Sequence, residues 1–317
     1  MKVLVTGGAG FIGSHIADRL LADGHEVVVL DDLSTGHVEQ LNPAARFYQM
    51  DVQSPWLDEL FKIERPDALL HQAAQASVRR SVEDPAFDAG INVMGTVTLL
   101  QASVRHGVRR FLFASTGGAL YGDADVIPTP EDYPTLPVSP YGASKLAAEV
   151  YLRTFHALHG LSYAALRYAN VYGPRQDPHG EAGVVAIFAR RLLSGDTARI
   201  NGDGRQTRDF VYVGDVAEAN ARALASEVVG SFNVGTGVET DINTIFQLLK
   251  RLAGNNQPDV HGPALPGEQR RSVVDARKIQ KVMGWRPQTS LEAGLDATVR
   301  YFRRASSAPA AAPAPPA

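Results

Sequence analysis

Glycines at 7, 10 and 13, an acid at Asp31 and a Tyr141–Lys145 pair are the residues of this chain best placed to do chemistry. Gly7 permits a tight turn out of the apolar run Lys2-Val3-Leu4-Val5-Thr6. Gly10 has no side chain, so a pyrophosphate can reach the backbone amides around Phe11 and Ile12, where a helix dipole favours negative charge. Gly13 lets that helix pack closely on a sheet. Asp31 lies 18 residues past Gly13, near the roughly 20 at which an acid meets the adenosine ribose of a dinucleotide. A carboxylate there accepts hydrogen bonds from free hydroxyls and repels a 2′-phosphate, which points to NAD over NADP. Tyr141 and Lys145 are four apart, one helical turn, and share a face. A lysine beneath a tyrosine, helped by a cationic nicotinamide ring, lowers the phenol pKa and makes a base usable near neutrality.

These residues need elements to hold them. Lys2–Thr6 reads as a buried strand, Ser14–Asp23 as a helix spacing Ile16, Leu20 and Leu21, and Glu26–Leu30 as a strand ending in Asp31-Asp32. The turn Leu33-Ser34-Thr35-Gly36 is placed to wrap the adenosine end of the cofactor. Arg46–Met50 reads as a third strand closing on Asp51-Val52, with Asp51 either meeting the adenine amino group or capping locally. A helix is expected over Ser54–Glu64, and a strand over Ala68–His71 with a structural histidine. The small segment Gln72-Ala73-Ala74-Gln75 then stands at a strand's C-terminal end, where open parallel sheets bind ligands. A helix over Asn92–Arg105 and a strand over Arg109–Phe113, ending in Ala114-Ser115-Thr116, continue the alternation. Five prolines make Asp123–Pro140 a surface loop, and Pro140 opens a helix running to about His159. Strands alternating with helices predict an α/β, Rossmann-type doubly wound parallel sheet.

Composition narrows the function classes. The 317 residues carry a formal net charge of −3 and contain no cysteine. No broad basic field invites nucleic acid or anionic membrane. Disulfides and thiolate metal sites are ruled out, and no metal is expected. The first residues read as a core strand, not a signal peptide, and no apolar run reaches the roughly 18 residues of a membrane span. A cytoplasmic enzyme is the expectation.

Further motifs follow in order: Tyr141-Gly-Ala-Ser-Lys145, Arg167-Tyr168-Ala169-Asn170-Val171-Tyr172-Gly173-Pro174-Arg175, and Arg208-Asp209-Phe210-Val211. With Thr6–Gly13 they make the chain, from residue 1 to about 303, resemble the extended short-chain dehydrogenases/reductases. Within these it is similar to the NAD-dependent nucleotide-sugar epimerases typified by UDP-glucose 4-epimerase. The resemblance implies that Tyr141 is the base, that Lys145 binds the nicotinamide ribose and tunes it, and that Thr116 assists proton transfer. The stretch Gly117–Gly122 is one residue longer than in the best-known epimerases, so Ser115 and Thr116 both stand as candidates to face the sugar, with Thr116 preferred. Similar dehydratases place Asp-Glu directly after this threonine; here Gly117-Gly118 follows, which favours epimerisation over elimination.

The resemblance adds Asn92, Ser115 and Tyr168 to the cofactor contacts, beside Ala73, Ala74, Gln75 and Val52. It implies a UDP-sugar site built from Asn170, Asn201, Arg208, Glu268 and Arg271, besides Thr116 and Tyr141. Leu265 stands where many relatives have an arginine, with Arg271 as the compensating cation, and the small Ser272 leaves room for an acetamido group. The expected organisation is a dinucleotide-binding domain over 1–170, with segments near 205–235 interleaved. A smaller nucleotide-sugar domain is expected mainly over 171–303, with Asp215 of the Val213–Ala225 helix capping or packing there, followed by a disordered Ala/Pro tail over 304–317. The implied activity is reversible oxidation and epimerisation at C4 of a UDP-hexose by a homodimer. UDP-N-acetylhexosamine, UDP-glucuronate and UDP-pentose are alternative substrates, and a non-catalytic NAD sensor is the alternative of another class.

Overall fold

The run Val3–Thr6 is fully buried in β1 (Lys2–Thr6), at the centre of a seven-stranded sheet. With it run β2 (Glu26–Asp31), β3 (Arg46–Gln49), β4 (Ala68–His71), β5 (Arg110–Thr116), β6 (Ser162–Tyr168) and β7 (Gly230–Val234). The order across the sheet is β7-β6-β5-β4-β1-β2-β3, and every neighbouring pair is parallel. The direction of winding reverses between β1 and β4, so a crevice opens there at the C-terminal ends of the strands. The computed structural model describes residues 1–179, 183–264 and 269–307.

The helices are α1 (Phe11–Ala22), α2 (Leu57–Glu64), α3 (Val78–Glu83), α4 (Pro85–Ala89), α5 (Gly95–Arg105), α6 (Pro140–His159), α7 (Val184–Ser194), α8 (Val213–Ala225), α9 (Ile242–Ala253), α10 (Arg277–Met283) and α11 (Leu291–Ser307). Side chains alternate along β1: Val3 and Val5 meet Ile16 and Leu20 of α1, while Leu4 faces the core shared by α2, α5 and α6. A third core joins Phe188 of α7, Phe246 of α9 and Leu295 of α11 to Ile200 and Phe210, beside the C-terminal half of the sheet. Among the described residues no helix is long and apolar enough to cross a membrane.

Several elements differ from expectation. Helix α2 starts at Leu57, because the Ser54 hydroxyl accepts from Trp56 N in a turn before it. The helix expected from Asn92 is entered through α4 and a π turn over Gly90–Met94, which holds Asn92. Strand β5 continues through Ser115 and Thr116. Helix α8, inside the segment expected near 205–235, packs on α1 in the main sheet's layer. There Asp215 accepts from Gln288 N and Thr289 N, and its carbonyl accepts from buried Trp285. Helix α11 carries on to Ser307, past the expected start of the tail; residues 308–317 lie outside those described.

Candidate active site

The glycine turn is packed to its limit. Gly7 takes φ +67°, and a Cβ there would come within 2.5 Å of Ala73 N; one on Gly13 would lie 2.1 Å from Gly7 O. The segment after β4 therefore touches the turn directly. Helix α1 begins at Gly10 without a side-chain cap, which leaves its first-turn amides around Phe11 and Ile12 for an anion. Asp31, at the end of β2, accepts from Ala9 N and Leu33 N, both at 2.9 Å. Burial holds its carboxyl above the usual range while the two backbone donors pull it down. One side chain thus ties the glycine turn to the loop over Leu33-Ser34-Thr35-Gly36. Asp32 is exposed and closes a local turn with Ser34, and Asp51 does the same with Gln53 N. Val52 is buried, lodged where a Cβ on Gly95 would stand.

The segment Ala73-Ala74-Gln75 is held from below. Ala73 N donates to the Thr6 hydroxyl, whose other neighbour is His71 Nδ1 at 2.7 Å. His71 is fully buried and reaches Thr96 through Nε2; burial pushes its pKa down to about 3, so it is a neutral structural group. Asn92 spends its amide on this segment, accepting from Gln75 N and donating to Gln75 O and to Asp88. Tyr168 is buried against Gln72 and Asn220.

Helix α6 starts where its sequence dictates: Ser139 caps Gly142 N, Pro140 occupies the first position, and Gly160 closes the helix at φ +72°. Its first face presents Tyr141 and Lys145, with the Lys145 Nζ 5.9 Å from the Tyr141 ring centre. Lys145 donates to Ala114 O at 3.0 Å and lies over the Phe113 ring. The Thr116 hydroxyl acts on the Tyr141 phenol and favours its ionised form, while accepting from Ala119 N. Ser115 does not compete for that role. Neighbouring strand residues point to opposite faces, and Ser115 runs under α6 to donate to Glu149 at 2.5 Å. Burial first and the Asp88 charge second push the phenol up to about 12, against the Thr116 hydroxyl, which lowers it. Lys145 is pushed down to about 8, again by burial. The expected lowering of the phenol is therefore not supplied by Lys145 alone.

A cleft of about 750 Å³ in the second half of the chain is lined among others by Asn170, Asn201, Gln206, Arg208, Arg191 and Arg199; Tyr141, Lys145 and Thr116 are not in its lining. Asn170 and Arg208 stand on short strands, Asn170–Tyr172 and Thr207–Arg208. Asp209 accepts from Thr236 N, Thr236 Oγ1 and Gly237 N, so its carboxylate is committed to the turn after β7. Arg271 makes a two-point pair with Glu239, both contacts at 2.7 Å, with about half its side chain exposed. Glu268 and Leu265 lie outside the described residues. A Cβ on Gly118 would sit 3.9 Å from Thr116 Oγ1 and 3.8 Å from Ser272 Oγ, so the space around the threonine is bounded by small groups.

A dinucleotide fits this arrangement, since the capless helix start and the closed glycine turn make the phosphate cradle and Asp31 stands at its adenosine end. The model of the NAD dependent epimerase/dehydratase family matches residues 3–235. The chain belongs to that family. A UDP-glucose 4-epimerase of Mycolicibacterium smegmatis is 49% identical to it over 313 residues, covering 96% of this chain and all of the relative. The Thermotoga maritima UDP-glucose 4-epimerase solved with UDP-glucose is 49% identical, with a TM-score of 0.95 over 96% of this chain and all of that one. The Thermus thermophilus UDP-glucose 4-epimerase solved with NAD is 47% identical, with a TM-score of 0.91 over 96% of this chain and 99% of that one.

Against this family background, two buried groups escaped the sequence reading. Glu149 is eight residues past Tyr141, on the same helical face, a spacing that was available as a signal. Asp88 had no signal at all, since only the fold carries it into the site.

Proposed function

We propose that the protein is an NAD-dependent isomerase that epimerises C4 of a UDP-hexose, interconverting UDP-glucose and UDP-galactose. The observation that carries this reading is the Tyr141–Lys145 pair on one face of α6, with Thr116 acting on the phenol and glycines, not carboxylates, at the two positions that follow the threonine. The Gly7–Gly13 turn and Asp31 would hold NAD, whose nicotinamide would supply reversible hydride acceptance at C4. Tyr141 accepts the C4 hydroxyl proton, directly or through Thr116, and later gives it back. Lys145 holds positive charge beneath the phenol and orients the nicotinamide ribose. Arg208 grips the diphosphate, as a guanidinium suits, and Asn170 and Asn201 hold the sugar nucleotide in the cleft. Binding energy concentrated on the nucleotide leaves the sugar free to turn and present its other face.

The small groups Gly118 and Ser272 leave room beside the sugar, which supports UDP-N-acetylhexosamine as a second substrate. We read the enzyme as cytoplasmic and as a homodimer. Exposed apolar side chains on adjoining segments, Phe87 of α4, Met94 of the π turn that leads into α5, and Val150, Tyr151 and Leu158 of α6, support pairing through this surface. Light scattering should then give twice the chain mass; a monomer at micromolar concentration overturns that part.

Isotope retention tests the chemistry. UDP-galactose deuterated at C4 should give UDP-glucose that keeps the label at C4 and has the same mass. Loss of label to solvent, or a product lighter by one water, contradicts the proposal.

A further inference from the structure

Asp88 is a completely buried carboxylate with no part in the proton transfers described above. It sits on α4, which packs against α6. Its Oδ1 accepts from Gln75 Nε2 at 2.8 Å and from Asn92 Nδ2 at 3.0 Å, whereas its Oδ2 is buried with no hydrogen-bond partner. Both donors are neutral amides, so they fix the carboxylate in place without cancelling its charge. A buried charge left this way is costly unless it acts on an opposite charge nearby.

The surroundings identify that charge. From α6, Tyr141 and Lys145 both feel the Asp88 carboxylate. From α3, Arg79 is paired with Glu83, and Arg80 lies over Phe87 of α4. From β4, His71 is neutral and faces Lys145. From β5, Ser115 and Thr116 bring hydroxyls only; Asn92, in the π turn, brings an amide; and Glu149 of α6 is paired with Arg167. Lys145 itself hydrogen-bonds a carbonyl and lies over an aromatic ring, neither of which carries formal charge.

Resting on the epimerase reading, we propose that Asp88 is a positioning residue whose carboxylate, clamped by Gln75 and Asn92, is the buried counter-charge that keeps Lys145 an ammonium beneath Tyr141. Fields act strongly across a dry interior, so direct contact is not required. The same charge discourages the phenolate of Tyr141 and so delays proton loss until a positive ring lies beside the phenol. Gln75 and Asn92, expected as cofactor contacts, thereby connect the cofactor segment to the charge of the Tyr–Lys pair.

The signs follow directly. Removing the Asp88 charge takes a stabiliser from the lysine ammonium and a repeller from the tyrosine phenolate, so both groups lose protons at lower pH. In Asp88→Asn, which keeps an acceptor for Gln75 and Asn92, both limbs of the kcat–pH profile on UDP-galactose should move down by about one pH unit. A kcat lowered at every pH with the limbs unmoved, or limbs moving up, overturns the proposal. Asp88→Ser, with space for a water, replaces Asp88→Asn if the latter does not fold. Ultraviolet titration of tyrosinate, with Tyr141→Phe as the blank, reads the same shift without turnover. If wild type is inactive on UDP-sugars, the functional reading fails while this titration still decides: a downward shift supports the role of Asp88, and no shift refutes it.

Discussion

Arg167 grips Glu149 through Nε at 2.9 Å and Nη2 at 2.7 Å, with both side chains almost wholly buried. Glu149 also accepts from Ser115 and Ser231, and Arg167 donates to the Tyr121 hydroxyl. This network joins α6, which carries Tyr141 and Lys145, to β5, which carries Thr116, and to β6 and β7. The register between phenol and threonine therefore rests on a pair that touches neither of them.

Cutting the pair should be expensive. Glu149→Ala leaves a buried guanidinium without its counter-charge, and removing one partner of such a pair costs about 3–5 kcal/mol. Urea denaturation of wild type and variant measures this. A loss below about 1 kcal/mol, the range of exposed pairs, contradicts the role given to the network.

Tyr141→Phe removes the proton acceptor and leaves the glycine turn and Asp31 untouched. Turnover should fall by a factor of about 10²–10⁴, while NAD released on denaturation stays at the wild-type ratio to protein. Near-normal turnover would remove Tyr141 from its role.

Gly13→Ala places a Cβ 2.1 Å from Gly7 O, backbone against backbone, so the turn has to open. The variant should purify with far less bound NAD than wild type, or not fold. Normal NAD content contradicts the packing described for the cradle.

His71 makes stability depend on pH with a definite sign. Its folded pKa of about 3 lies below the ordinary 6.5 because burial disfavours the imidazolium. Between these values the unfolded chain binds a proton that the folded chain refuses, so stability is full above about 6.5 and falls as pH drops towards 3. The slope from this one group reaches ~1.4 kcal/mol per pH unit. Denaturation of wild type and His71→Gln at pH 7 and pH 5 checks it: the variant should lose less stability between the two.

Local pattern made much of this legible. The first strand, the glycine turn and Asp31 are contiguous in sequence, and the Tyr141–Lys145 face follows from helical spacing alone. Choosing Thr116 over Ser115 required β5 to continue through both residues, which three residues of small side chains do not announce. Helix α8 follows the strands of the nucleotide cleft in sequence, yet its apolar stripe packs beside α1 on the same face of the main sheet. Arg271 reads as a free cation until Glu239 is folded against it, and Asp88 reads as one acid among many until α4 buries it. Contacts between residues far apart in sequence decide such groups.

Epimerisation by this protein should run on an NAD that the protein carries and regenerates. The most direct measurement incubates the purified protein with UDP-galactose, adds no cofactor, and separates the UDP-sugars by chromatography while following NADH absorbance. UDP-glucose should accumulate to equilibrium over many turnovers with no stoichiometric NADH. No product even with NAD supplied, or NADH appearing one for one with oxidised sugar, would contradict it.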